Sequence, residues 1–204
     1  DNGAGMDRDT LIAAMRFGCK GPESTRASRD LGRFGLGLKT ASLSQARRLT
    51  VASRCNGSFS CFRWDLDHID RGGADWELLV GPAQGSQARL GALPSGGAGT
   101  LVLWEAVDFG RKTDPPNADW FRSELALLER HLGMVFHRFL ASRQLDILIS
   151  GSRVDPWDPF LEDHNPPSDR IGADALTAPG GRVRVAGFVM PHPDRFANAA
   201  SLTR

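Results

Sequence analysis

Two glycine-rich turns, each running directly into a helix, constrain this chain more than any other feature. The first is Asp1-Asn2-Gly3-Ala4-Gly5-Met6. The second is Leu31-Gly32-Arg33-Phe34-Gly35-Leu36-Gly37-Leu38-Lys39-Thr40-Ala41-Ser42. Glycines let a backbone approach a flat ligand closely and aim successive N–H groups at an anion, and a helix N-terminus adds favourable partial charge. Asp1 can accept a hydrogen bond from an exocyclic amine, Met6 can pack on a ring face, and Lys39 can neutralise an anion. Taken singly, the first motif also reads as an ordinary turn with a helix cap, and the second as a flexible loop before a helix. The second has neither Walker nor Rossmann spacing, and no strand leads into it.

The rest of the chain predicts a mixed α+β order. Met6–Phe17 reads as a helix that Asp7 can cap and Gly18 can end. Residues 19–33 are polar and charged with no apolar period, which is the composition of a mobile loop. Leu38–Ala46 reads as a short helix. Leu49–Arg54 and Ser58–Asp65 read as strands joined through Cys55-Asn56-Gly57, since Asn-Gly is the strongest short hairpin signal. Trp76–Val80 is a further short strand, residues 81–99 a loop, and Thr100–Glu105 an apolar strand opened by Gly99-Thr100. In Ala118–Ser142, Phe121, Leu125, Leu128, Leu132, Val135 and Phe139 recur at three and four residues, which predicts one long helix packed on the sheet. Leu145–Ile149 is a strand. Prolines 156, 159, 166, 167 and 179 then break up a polar stretch, and Arg182–Met190 reads as a last strand.

Composition narrows the classes. At 41% hydrophobic and 24% charged residues the chain has the balance of a globular protein, and its formal charge of +1 gives no global pull toward nucleic acid or anionic lipid. No apolar run reaches the ~18 residues of a membrane span. Cys19, Cys55 and Cys61 form no CxxC pair, which favours neither a disulfide framework nor a zinc site and fits a reducing cytoplasm. The 3 lysines against 22 arginines read as the coding bias of a GC-rich genome. His131 and His137 lie six apart, off a shared helix face. Asp155 and Asp158 flank Trp157 in a proline-rich corner. Arg47 and Arg48 read by default as a solvated strand edge.

In combination the motifs are far more specific than alone. DNGAGM, a polar loop, GRFGLGLKTAS, and GT at a strand start resemble the GHKL superfamily of gyrase B, the heat-shock chaperone ATPase, MutL, MORC proteins and histidine kinases. FGLGLKTA looks most like the MutL, MORC and chaperone branch. The resemblance implies an α+β, two-layer α/β sandwich (the Bergerat ATP-binding fold) with a mixed, mostly antiparallel sheet. It implies an ATP-binding domain over residues 1–151 lacking an N-terminal strand and helix, then a linker and the beginning of a transducer-like domain over 152–204. Asp1 would bind the adenine amine, Gly3, Gly5 and Met6 would shape the base site, and Thr100 would assist. Gly35, Gly37 and Lys39 would hold phosphates within a cofactor-binding stretch of Gly32, Arg33, Phe34, Gly35, Leu36, Gly37, Leu38 and Lys39. Residues 19–34 would be the ATP lid.

The resemblance also implies ATP with Mg2+ as cofactors and an ATP-dependent homodimer, with a nucleic acid or protein client left open and no membrane. The rival readings are a non-hydrolysing, nucleotide-gated interaction module and the ATP-binding domain of a sensor kinase. In the superfamily a glutamate general base and a magnesium-binding asparagine precede the DxGxG motif, and no residue here precedes Asp1. The 204 residues are therefore expected to be a piece of a longer protein and to lack a catalytic residue of their own. Hydrolysis needs a positioned base and a bridging metal. Phosphate release from ATP is expected to stay at background, and steady magnesium-dependent release abolished by Lys39→Ala would contradict this.

Overall fold

The computed structural model describes residues 1–18, 35–72, 76–93, 96–108, 117–162, 167–178 and 181–195. The chain divides into two compact units, Asp1–Asp114 and Pro115–Arg204.

The first unit is built on an antiparallel sheet. Strands β1 (Ala46–Cys55) and β2 (Ser58–Asp65) form the expected hairpin, turning at Asn56 and Gly57, both at positive φ. Strand β3 (Leu79–Val80) borders β2, and β4 (Gly99–Val107) borders β1, so the order among the described residues is β3-β2-β1-β4. Helix α1 (Arg8–Met15) is capped by Asp7, whose side chain accepts from the Thr10 amide at 2.8 Å. Helix α2 spans Gly37–Leu43 and α3 spans Leu66–Gly72.

Strand alternation decides which face each residue buries. Leu49 and Val51 of β1, with Phe62 and Trp64 opposite them on β2, meet Leu11 and Met15 of α1 in one core, and Leu38 and Leu43 of α2 pack against it. The opposite face carries Ala52 and Cys61, covered by Leu93 with Leu90 and Leu101. The loop expected over 81–99 includes a 3-10 turn at Gln87–Ala92, which brings Leu90 to that cover. Burial there pushes the Cys61 thiol pKa up. On this second face Arg48 and Arg63 are ion-paired. Arg48 Nε donates to Asp65 Oδ2 at 2.9 Å, with Arg63 Nε 3.5 Å from the same oxygen. Arg47 pairs with Asp67 and Asp70. Arg47 and Arg48, expected on a solvated strand edge, thus lie on an inner strand and are salt-bridged.

In the second unit, the helix expected over 118–142 is two helices, α4 (Ala118–Val135) and α5 (His137–Ala141), broken at Phe136. The cause is competition for carbonyls. The Trp157 amide donates to Gly133 O at 3.1 Å, and His137 Nδ1 donates to Met134 O at 2.7 Å. Those two oxygens would otherwise take the next amides of a continuous helix. Strands β5 (Leu148–Ile149) and β6 (Ser152–Arg153) make a short hairpin. Strands β7 (Asp169–Ala178) and β8 (Gly181–Val189) make a long one, with an irregularity between Ile171 and Ala173. Strand β7 was not expected, because its apolar residues do not alternate cleanly and prolines lie just before it. Asp158 anchors the proline-rich corner by accepting the Phe160 and Glu162 amides at 2.9 and 2.7 Å.

The architecture is therefore α+β with antiparallel pairing throughout the described strands. Asp65 gives it a testable electrostatic element. Burial pushes its carboxyl pKa up, but the Arg48 hydrogen bond and charge, the His68 amide and the Arg63 charge outweigh that and hold it below the ordinary range. A depressed folded pKa adds stability above the unfolded pKa of about 4, and that stability is lost as pH falls through the folded value. Asp65→Asn should lower stability by about 2 kcal/mol at neutral pH and shrink the loss on acidification. Urea unfolding of both proteins at neutral and acidic pH measures this; equal midpoints would remove the role.

Candidate functional site

The Asp1–Met6 turn lies against the seam between β1 and β4. The main-chain nitrogen of Asp1 donates to Thr100 O at 2.8 Å. Asp1 Oδ1 accepts the Gly3 amide at 3.0 Å and the Thr100 amide at 3.2 Å. One carboxylate oxygen is thus fixed by two backbone amides, and among the described residues no donor reaches the other. Beneath the turn, Ser53 is fully buried. Its Oγ accepts the Met6 amide at 2.7 Å and donates to Gly99 O at 3.0 Å. Thr100 Oγ1 lies 3.0 Å from the same Oγ. A serine hydroxyl has one proton, and Gly99 O takes it, so the Thr100 hydroxyl is the donor in that pair.

Close packing makes two glycines obligatory here. Gly5 has φ +69°, and a Cβ on it would stand 1.9 Å from Arg54 O. Gly99 has φ +156°, and a Cβ there would stand 2.2 Å from Asp1 O. In both cases the obstacle is backbone, which cannot swing aside as a side chain can.

Helix α1 leads from this turn to the second group of residues. Lys39 is nearly buried, and its Nζ donates to Ala14 O at 2.8 Å and to Gly35 O at 2.5 Å. The ammonium also lies 5.9 Å from the centre of the Phe17 ring. A cation on the last carbonyls of a helix satisfies groups that have no intrahelical partner. It also ties the end of α1 to the turn before α2. Phe17, Trp64 and Trp76 form an aromatic cluster beside it with ring centres 5.7–5.9 Å apart, and Trp64 Nε1 donates to Met15 O at 2.9 Å. Ser42 of α2 accepts from Trp104 Nε1 at 2.9 Å, which fastens α2 to β4.

Of the residues singled out in the sequence, Asp1, Gly3, Gly5, Met6 and Thr100 gather around Ser53. Gly35, Leu36, Gly37, Leu38 and Lys39 gather at the carbonyl end of α1. Gly32, Arg33 and Phe34, with the 19–34 lid segment, lie outside the described residues. Ser53 escaped sequence reasoning. Its only signal is register: it is the one small polar residue of β1 that sits directly opposite both Ser60 and Thr100. Among the described residues no three His, Cys, Asp or Glu side chains cluster as metal ligands, and no helix is long and apolar enough to cross a membrane.

Comparison with known proteins gives two similarities. Residues 1–92 match the family model of histidine kinase-, DNA gyrase B- and HSP90-like ATPases. The chain is also 30% identical over 89 residues to the ATPase MORC2B of Mus musculus, a stretch that covers 44% of this chain and 9% of the mouse protein.

The seam should be intolerant of small changes. Gly5→Ala should cost about 3 kcal/mol or more, because a methyl group would overlap a carbonyl. Ser53→Ala should cost about 1–3 kcal/mol by stranding the Met6 amide. Thermal melts of both variants against Gly91→Ala, whose Cβ meets nothing and whose φ is not positive, test the ranking. A Gly5→Ala melt at or above that of Gly91→Ala would refute it.

Proposed function

We propose that the chain is the ATP-binding module of a GHKL-type ATPase, a reading supported by the family-model match over residues 1–92 and by the similarity to a MORC ATPase. In this reading ATP closes the 19–34 lid, drives homodimerisation and passes the change to a downstream domain that begins within residues 152–204. The observation that carries it is the Asp1 carboxylate, held through Oδ1 by two backbone amides, which leaves Oδ2 for a ligand. That arrangement suits an exocyclic adenine amine, with Thr100 and Met6 beside it.

The phosphates would then meet the Gly35–Lys39 turn at the other end of α1. Eight helical residues separate the two groups, about 12 Å along the axis, so the nucleotide binds extended alongside the helix. Lys39 would exchange a carbonyl partner for phosphate oxygen, which is a stronger partner for an ammonium. Magnesium would accompany the phosphates, neutralising their charge. The chain's own part is to bind and orient the nucleotide. Hydrolysis is assigned to the whole protein.

Calorimetry with ATP and ADP tests this. Asp1→Asn should weaken both nucleotides by one to two decades, the equivalent of a charged hydrogen bond of ~1.5–3 kcal/mol. Lys39→Met keeps the apolar stem but removes the charge, and should weaken ATP more than ADP. Unchanged ATP affinity in both variants would move the nucleotide site elsewhere.

A further inference from the structure

The second unit contains a cavity that the nucleotide site does not use. It has a volume of about 710 Å³ and is lined by Arg138, Phe160, Glu162, Arg170, Arg184 and Phe188, among others. That volume lies within the range of small-ligand sites. Its walls come from α5, the proline-rich corner and the β7–β8 hairpin. Arg170 and Phe188 are directly paired across the hairpin, so both side chains stand on one face, and Arg184 shares that face by strand alternation.

The aromatic rings here orient cations. Phe160 and Phe188 pack with centroids 4.8 Å apart and planes tilted by 34°. The Arg138 guanidinium lies 5.7 Å from the Phe160 ring centre, and that of Arg170 lies 5.9 Å from the Phe188 ring centre. A ring holding a guanidinium lowers the conformational freedom it loses on binding. Three positive groups face one carboxylate. Glu162 is 4.0 Å from Arg138, and among the described residues no carboxylate lies within ion-pairing distance of Arg170 or Arg184.

We propose that this cavity is a binding site for a phosphate-bearing ligand, independent of the nucleotide site. The planar fork of arginine matches phosphate oxygens two at a time. Two unneutralised guanidiniums on one hairpin face suit a group carrying two negative charges. Because the rings are occupied by each other and by arginines, recognition falls on the anion and not on a stacked base. The phosphate comes either from a free phosphorylated small molecule or from a nucleic-acid backbone.

The test titrates the full chain with inorganic pyrophosphate and, separately, with an eight-nucleotide oligothymidylate. It compares wild type with the double variant Arg170→Glu, Arg184→Glu. Both residues are exposed, so the fold should survive, and ATP affinity should be unchanged. The double variant should bind the favoured probe at least about tenfold more weakly, as loss of two charged contacts implies. Tighter binding of the oligonucleotide, with a steep salt dependence, identifies a nucleic-acid backbone. Pyrophosphate binding as tight or tighter identifies a free phosphorylated molecule. Amide resonances of residues 184–188 should shift with the bound probe, a readout that also serves for the single variant Arg184→Gln. No binding of either probe, equal binding by the double variant, or resonance shifts confined to other residues would overturn the proposal. A failed nucleotide site would show instead as lost or absent ATP binding with these pyrophosphate results intact.

Discussion

Backbone lying directly on backbone is the constraint from which the first unit follows. Gly5 sits against the Arg54 carbonyl and Gly99 against that of Asp1, with no room for a single carbon between them. This contact sets the height of the N-terminal turn over the β1–β4 seam and therefore the point at which α1 begins. From there the helix can lay Leu11 and Met15 on Leu49, Val51, Phe62 and Trp64. The seam is closed by one hydroxyl. Ser53 joins the turn through Met6 and strand β4 through Gly99 and Thr100. Elements 47 residues apart in the chain are thereby fixed to each other by groups too short to adapt.

The main features of this unit were legible because local chemistry and tertiary packing agree. Asn56-Gly57 makes the hairpin, Asp7 caps α1, and the Gly99-Thr100 pair opens β4. What escaped notice depends on partners far along the chain. Ser53 is an ordinary strand serine until β4 and the N-terminal turn arrive on either side of it. The break at Phe136 follows from Trp157, 21 positions away, whose amide takes a helix carbonyl; the apolar period of residues 118–142 runs through the break without interruption. Strand β7 contains Gly, Ala and Asp where a strand signal needs branched or aromatic residues, and only β8 makes it a strand. The site was readable as motifs, yet the sequence could not show that the Lys39 ammonium rests on carbonyls.

Polar groups in both units are used more for position than for exposure. Asp65 draws together Arg48, Arg63 and the His68 amide, which ties two strands to the start of α3. Asp158 accepts two amides and steadies a corner that prolines alone would leave without donors. Each carboxylate is committed to amides or guanidiniums. Commitment of this kind raises the cost of removing one member, because the remaining partners are left desolvated and unpaired.

The aromatic cluster at the end of α1 gives the molecule a built-in optical reporter. Trp64 is buried, with its indole N–H on Met15 O, whereas Trp76 is 61% exposed. Both rings touch Phe17, and Phe17 carries the Lys39 ammonium on its face. Any anion that draws Lys39 off its carbonyls changes the electric field at Phe17 and frees the last turn of α1, to which the Trp64 indole is bonded. Emission from Trp64 and Trp76, two of the five tryptophans, would therefore respond to the contacts of Lys39. Light would then tell whether the carbonyl end of the first helix is latched or released.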